Sequence, residues 1–260
     1  MLRTSCLASL VLATLIATVL ASCNSYVTPG RGADMTLFKP ANATEQDIAA
    51  SFDRKPLAQF PAAVALVRVQ APEYTSYSVR RTSGGGKYSV VTVRDIETEA
   101  DFERLKQLPQ IGGLAPVTHL LVPEELSGPE DLRRIAADLH ADVVLIYTID
   151  TVFESSEHGG PLAVVSLGIL PTAVASVDTT ASAILLDTRT GYLYGTAEAT
   201  VSDDSATNAW WSQSAIDAGR KKTERGAFEK MLGEFEHTWS GVVAQYGPAQ
   251  KAGPEAAGAP

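Results

Sequence analysis

The sequence predicts an α/β (α+β) protein: a mixed β-sheet covered by helices, with a long amphipathic helix at its carboxyl end. Three observations predict it. Short apolar runs at residues 62–69 and 142–147 alternate with stretches of helical periodicity. Two β-rich runs, 180–186 and 192–201, are joined by Asp187-Thr188-Arg189-Thr190-Gly191, which suits a hairpin with a bulge. Between about 208 and 246 one long helix is expected, because Phe228, Met231, Leu232, Phe235, Trp239, Val242 and Tyr246 form a continuous apolar stripe.

Taken in order, residues 1–22 read as an export signal that is cut away. Arg3 supplies a positive start, and residues 7–20 are apolar apart from Ser9, Thr14 and Thr18. A spanning helix needs roughly 20 apolar residues, and this run is shorter and ends in small residues. Residues 23–60 read as a tether, with Pro29, Gly30, Gly32, Pro40 and Pro56 and one short helix near 45–52. A mixed α/β domain is expected over 61–246. It opens with a strand at 62–69, then a strand or hairpin arm at 88–93 after the Gly84-Gly85-Gly86 turn, a helix at 98–108 and an apolar strand at 117–122. Ser127 with Glu130 forms a capping box. Leu132, Ile135, Ala136 and Leu139 then give one buried helix face, ending near His140 before a buried strand from Asp142. Residues 247–260 are largely Pro, Gly and Ala and read as a disordered tail.

The net charge of −9 argues against nucleic acid, whose binders carry a basic footprint, and against electrostatic adhesion to anionic lipid. The cysteines are Cys6, which leaves with the signal, and Cys23. No disulfide and no cysteine-based metal site is therefore expected in the mature chain.

Leu20-Ala21-Ser22-Cys23 resembles the lipobox of bacterial lipoproteins. The resemblance implies cleavage between Ser22 and Cys23, fatty acylation of Cys23 (palmitate among the chains) and anchoring in a lipid bilayer. Asn24 stands where an aspartate commonly retains such proteins at the inner membrane, which implies the outer membrane and a periplasmic domain. Further on, "LRRIAADLHADVVLIYTIDTVF" and "ASAILLDTRTGYLYGTAEATV" resemble the core of a broad group of envelope lipoproteins. Their fold is similar to the amino-terminal domain of TolB, the curli secretion lipoprotein and the lipoprotein activators of penicillin-binding proteins. The rhombotarget lipoproteins are the subgroup nearest in length and wording. The resemblance covers roughly residues 60–246, and its motifs are structural; such folds serve different functions, so it assigns none.

Candidate chemistry is sparse. "SGGGKYS" at 83–89 fails the phosphate-loop pattern, because Arg81 and Tyr88 stand where Gly and Ser or Thr are required. Glu154, Glu157 and His158 read as a solvated turn rather than a metal site. His140 suits a helix carboxyl end, His119 falls in the expected strand and His237 on the closing helix. Asp203-Asp204 reads as turn or cap, and no Gly-x-Ser-x-Gly occurs. No catalytic residues, metal or cofactor are expected.

The excursion 154–177 needs a reason, because Leu162, Val164, Val165, Leu167, Ile169 and Leu170 make its centre too apolar for an ordinary loop. Three readings stand: added structure on the core, a surface for a partner or the bilayer, and a pore-forming hairpin. Trp210-Trp211 is a second flag, since neighbours on a helix cannot face one core. The expected function is a non-enzymatic binding or assembly module at the outer membrane, in contact with envelope proteins or with itself. The alternatives are an oligomeric export-pore component and a periplasmic hydrolase using Glu154, Glu157 and His158.

Overall fold

The strand β1 (Ala62–Gln70) is apolar at nearly every position because both of its faces are covered. Val64 and Leu66 enter one core, while Ala65, Val67 and Val69 enter another on the opposite side of the sheet. The computed structural model that shows this describes residues 26–39, 44–157, 173–203 and 213–248. On one edge, β1 pairs in parallel with β6 (Val143–Glu157), from Val64↔Val143 to Val67↔Ile146. On the other edge it pairs in parallel with β4 (Ile111–Pro116) and, further along, antiparallel with β3 (Ser89–Val91). β7 (Ala173–Asp187) and β8 (Leu193–Asp203) complete the mixed six-stranded sheet by antiparallel pairing. A separate parallel pair joins β2 (Gly85–Gly86) to β5 (Glu125–Leu126).

The helices sort to the two faces. α2 (Glu99–Lys106) and α4 (Gln213–Tyr246) cover one, through Phe102, Leu105, Phe228, Met231, Leu232, Phe235 and Trp239. Trp239 is fully buried near Phe60 and Phe235, and its indole N–H donates to the Pro109 carbonyl at 2.8 Å. α3 (Pro129–Asp138) covers the other face through Leu132, Ile135 and Ala136. α1 (Glu45–Asp53) buries no residue, and its Phe52 is 87% exposed.

Several sequence expectations change. Residues 117–122 are not a strand: after Val117 N–H donates to the Leu66 carbonyl, the chain turns into a 3-10 helix at His119–Leu121. The reason is that β3 already occupies the edge of β1 at Arg68–Gln70, so a longer β4 has no partner there. The start of α3 is capped by Asp131 rather than Glu130. Its carboxylate accepts from the Ser127 and Gly128 amides at 2.8 and 3.2 Å. Tyr26–Lys39, read from the sequence as part of a tether, instead lies along the sheet. Gly32 bridges Gln70, the Ala33 amide donates to Thr148 Oγ1 at 2.8 Å, and Phe38 is buried edge-on against Tyr88. Gly32 permits this approach, since a Cβ there would meet the Asp150 Cβ at 3.0 Å.

β6 and β7 are also longer than expected, at fifteen residues each. β8 stops at Val177↔Asp203, whereas β6–β7 pairing continues to Glu157↔Ala173. The four pairs beyond Phe153↔Val177 form a two-stranded ribbon about 13 Å long at roughly 3.3 Å per residue. Residues 158–172 join its two strands.

Candidate functional site

The motif residues that carry the resemblance turn out to bind backbone. Asp187 accepts from the Arg189 and Thr190 amides at 2.8 and 2.9 Å, from the Leu57 amide at 2.6 Å and from the Tyr194 hydroxyl at 3.0 Å. Burial alone would raise its pKa; these donors outweigh it and hold the carboxyl below the ordinary range. Asp142 accepts from the Ala63 amide and pairs with Arg189 at 2.9 Å. Both aspartates are spent on fixing the β7–β8 turn against the starts of β1 and β6.

A second cluster is ionic and buried. Arg220, with no exposed surface, binds Asp217 at 2.9 Å, Glu224 at 2.6 Å, the Ser78 hydroxyl at 3.1 Å and Asp95 at 3.3 Å. Asp95 bridges on to the buried Arg68 at 2.9 Å. Glu97 accepts from the Tyr147 hydroxyl at 2.6 Å, and Glu224 from Thr151 at 2.9 Å. Burial pushes the Glu224 carboxyl up, against the pull of Arg220 and Arg68. Burial also works against the charged form of Asp217, but Arg220 and Lys221 bring its carboxyl below the ordinary value. The void beside Arg68, Glu97 and Tyr147 holds about 30 Å³, room for roughly one water molecule. This cluster fastens α4 to β1, β6 and the 71–97 segment; it has no space for a substrate.

A roomier concave feature lies elsewhere. A cavity of about 390 Å³ opens between α1, the Gly-rich turn and α3. Leu37, Phe38, Pro129 and Leu186 form its apolar wall, and Lys39, Arg54, Lys87 and Arg133 line it beside Asp47 and Glu130. Local structure explains how Lys87 arrives there. Gly86 has φ +93° and passes so close to Leu126 that a Cβ would clash with its carbonyl oxygen, and the Lys87 amide then donates to that carbonyl.

The expected contact residues Leu162, Val164, Val165, Leu167, Ile169, Leu170, Trp210 and Trp211 lie outside the described residues, as do Ser22, Cys23 and His158. Glu154 and Glu157 fall in β6, not on a loop. His119 begins the 3-10 turn, His140 sits just past α3 at φ +55°, and His237 lies on α4. Among the described residues no three His, Cys, Asp or Glu stand close enough to hold a metal ion. No helix among them is long and apolar enough to cross a membrane. Sequence reasoning missed both the ion cluster and the cavity. The cavity's one local signal was Lys87 within "SGGGKYS".

No protein-family model and no curated protein matches the chain. Among solved structures, a hypothetical protein, CT253, from Chlamydia trachomatis is 14% identical, covering 70% of this chain and 98% of its own, with a TM-score of 0.32. Lipoprotein GNA1162 from Neisseria meningitidis is 13% identical, covering 62% of this chain and 96% of its own, with a TM-score of 0.29. Likenesses this distant carry no functional conclusion.

Proposed function

We propose that this chain is a bacterial envelope lipoprotein, held at the outer membrane by acyl chains on Cys23, whose α/β body is a non-enzymatic binding or assembly module. The observation that carries the reading is where the body takes up the chain. Tyr26, only three positions after Cys23, is already packed: its ring stacks on Tyr77 at 5.9 Å and meets Phe153 edge-on at 6.0 Å. Three extended residues span about 10 Å. An acylated Cys23 would therefore seat this end of the body against the leaflet rather than let it swing on a long tether.

The surface there suits that position. Val27, Tyr77 and Val152 are 49%, 37% and 48% exposed, and tyrosines favour the membrane interface. The ribbon begins at Glu154, next to Phe153, so it extends from the same end of the sheet. On this reading Leu162, Val164, Val165, Leu167, Ile169 and Leu170, with Trp210 and Trp211, contact a partner or the bilayer. The carboxylates of Asp142 and Asp187, committed to backbone amides, fit a role without catalysis.

Depth-dependent quenching tests the seating. With Cys23 capped by its own lipid, a fluorophore on a single cysteine at Tyr77 or Val152 should be quenched by spin-labelled lipid in proteoliposomes. A fluorophore at Phe52 should not. Crosslinking in cells should lose its partners when Leu162, Val165, Leu167 and Ile169 become serine. Equal quenching at all three sites, or an unchanged set of crosslinks, contradicts the proposal.

A further inference from the structure

The cavity between α1, the Gly-rich turn and α3 has a charge the rest of the molecule does not prepare for. The whole chain carries −9, yet four cationic side chains line this hollow against two carboxylates, a surplus of two positive charges. Asp47 is engaged by the Thr44 amide and hydroxyl at the start of α1, at 3.0 and 2.7 Å. Among the described residues Lys39, Arg54, Lys87 and Arg133 form no ion pair with a carboxylate, whereas the other buried and half-buried arginines nearly all do. Lys39 is within weak electrostatic reach of Asp34, which lies outside the lining.

Two of the four are held in place by backbone. Arg133 donates from Nε to the Thr188 carbonyl at 3.0 Å and from Nη2 to the Arg189 carbonyl at 2.6 Å. Its Nη1 lies beside Gly191, also in the lining, where a Cβ would sit 3.0 Å from it. Arg54 reaches the Gly191 carbonyl at 3.5 Å. Neutral carbonyls orient these guanidinium groups without cancelling their charge. The amino-terminal end of α3 does not supply the site, because Asp131 already occupies the Ser127 and Gly128 amides.

We infer that this cavity binds a phosphoryl group, with Lys39, Arg54, Lys87 and Arg133 as its ligands. Guanidinium and ammonium groups are the side chains that recognise phosphate, the former through two parallel hydrogen bonds. A phosphate monoester carries about −1.5 to −2 at neutral pH, which matches the surplus of two where a single carboxylate does not. The volume lies within the roughly 300–1,000 Å³ of small-molecule sites, and the apolar wall of Leu37, Phe38, Pro129 and Leu186 would cover the non-phosphate part. The site is remote from Tyr26: Gly191 adjoins Asp187 and Tyr26 meets Phe153 opposite Val177, positions on β7 about 33 Å apart at roughly 3.3 Å per residue.

The test is titration of the purified chain carrying Cys23→Ser with inorganic phosphate and with glycerol 3-phosphate, at constant ionic strength, against acetate and chloride. Phosphate should bind with millimolar or tighter affinity, raise the Tm, and do both better than acetate. Lys87→Glu, whose side chain makes no structural hydrogen bond among the described residues, should weaken binding at least about tenfold while leaving the Tm without phosphate unchanged. Lys39→Ala should weaken it less. Vesicles of phosphatidylcholine with and without phosphatidic acid separate the sources of the group. Phosphate-competed binding to the acidic vesicles identifies a lipid headgroup; binding of the soluble esters alone identifies a small phosphorylated molecule. No binding of phosphate, equal binding of acetate, or binding indifferent to Lys87→Glu overturns the inference.

Discussion

Replacing Arg220 with leucine should be among the most damaging single changes in the body, and the structure says by how much. Arg220 is the shared partner of Asp95, Asp217 and Glu224, all nearly sealed from solvent. Its loss leaves Arg68 as the one buried cation facing Asp95, Glu97 and Glu224. Removing one member of a buried ion pair costs about 3–5 kcal/mol, a large part of the roughly 5–15 kcal/mol that holds a domain together. The pH dependence identifies the cause. The Glu224 carboxyl is already raised by burial, and losing Arg220 raises it further. A group with a raised folded pKa contributes stability that is present below its unfolded value and lost as pH rises through the folded value. The Arg220→Leu defect should therefore be larger at pH 8 than at pH 5. Urea unfolding followed by tryptophan fluorescence reads this out, Trp239 being buried in the core. Adding Glu224→Met should restore at least about 1 kcal/mol, since an unpaired buried carboxylate is gone. A loss below about 1 kcal/mol, or one identical at pH 5 and pH 8, would refute the reasoning.

Three further outcomes are expected. Asp187→Asn should cost about 1–3 kcal/mol in urea unfolding, because the one amide NH₂ then faces either the Arg189 and Thr190 amides or the Leu57 amide and Tyr194 hydroxyl, donors that had shared one carboxylate oxygen. Trp239→Phe should cost less than Trp239→Ala, which by the usual range for core aromatics loses about 3–5 kcal/mol. The Tm of the wild-type chain should fall in acid. Asp101 (paired with Arg225), Asp187 and Asp217 have lowered pKa values, so their stabilisation is present above the ordinary aspartate value and lost as pH drops through the folded ones. A Tm flat from pH 6 down to pH 2 would contradict that.

How much of this the residues announce in advance depends on local pattern. β1 and the buried face of α3 were legible because their apolar residues recur at one period over a short span. The length of β6 was not, because Thr148, Asp150 and Thr151 look like an ending. In the fold they are inward or edge residues whose partners, Gln70, Gly32 and Glu224, come from distant segments. Residues 117–122 misled in the opposite sense: the run is apolar, but strand formation needs a free edge, and β3 holds it. The early segment looked like a tether because its proline and glycine content hid single anchoring contacts at Gly32, Ala33 and Phe38. The ion cluster showed only as Asp217, Arg220 and Glu224 at helical spacing, a pattern that surface helices share. The cationic cavity had no local signature beyond Lys87 in the Gly-rich turn, because Lys39, Arg54, Lys87 and Arg133 come from four separate segments.

The measurement that bears most directly on the central claim is the mass of the amino-terminal peptide of the protein isolated from its native membrane. The account predicts a peptide beginning at Cys23 and heavier than its sequence by a diacylglyceryl group and a fatty acyl chain. An unmodified Cys23, or a mature chain that starts elsewhere, would contradict it.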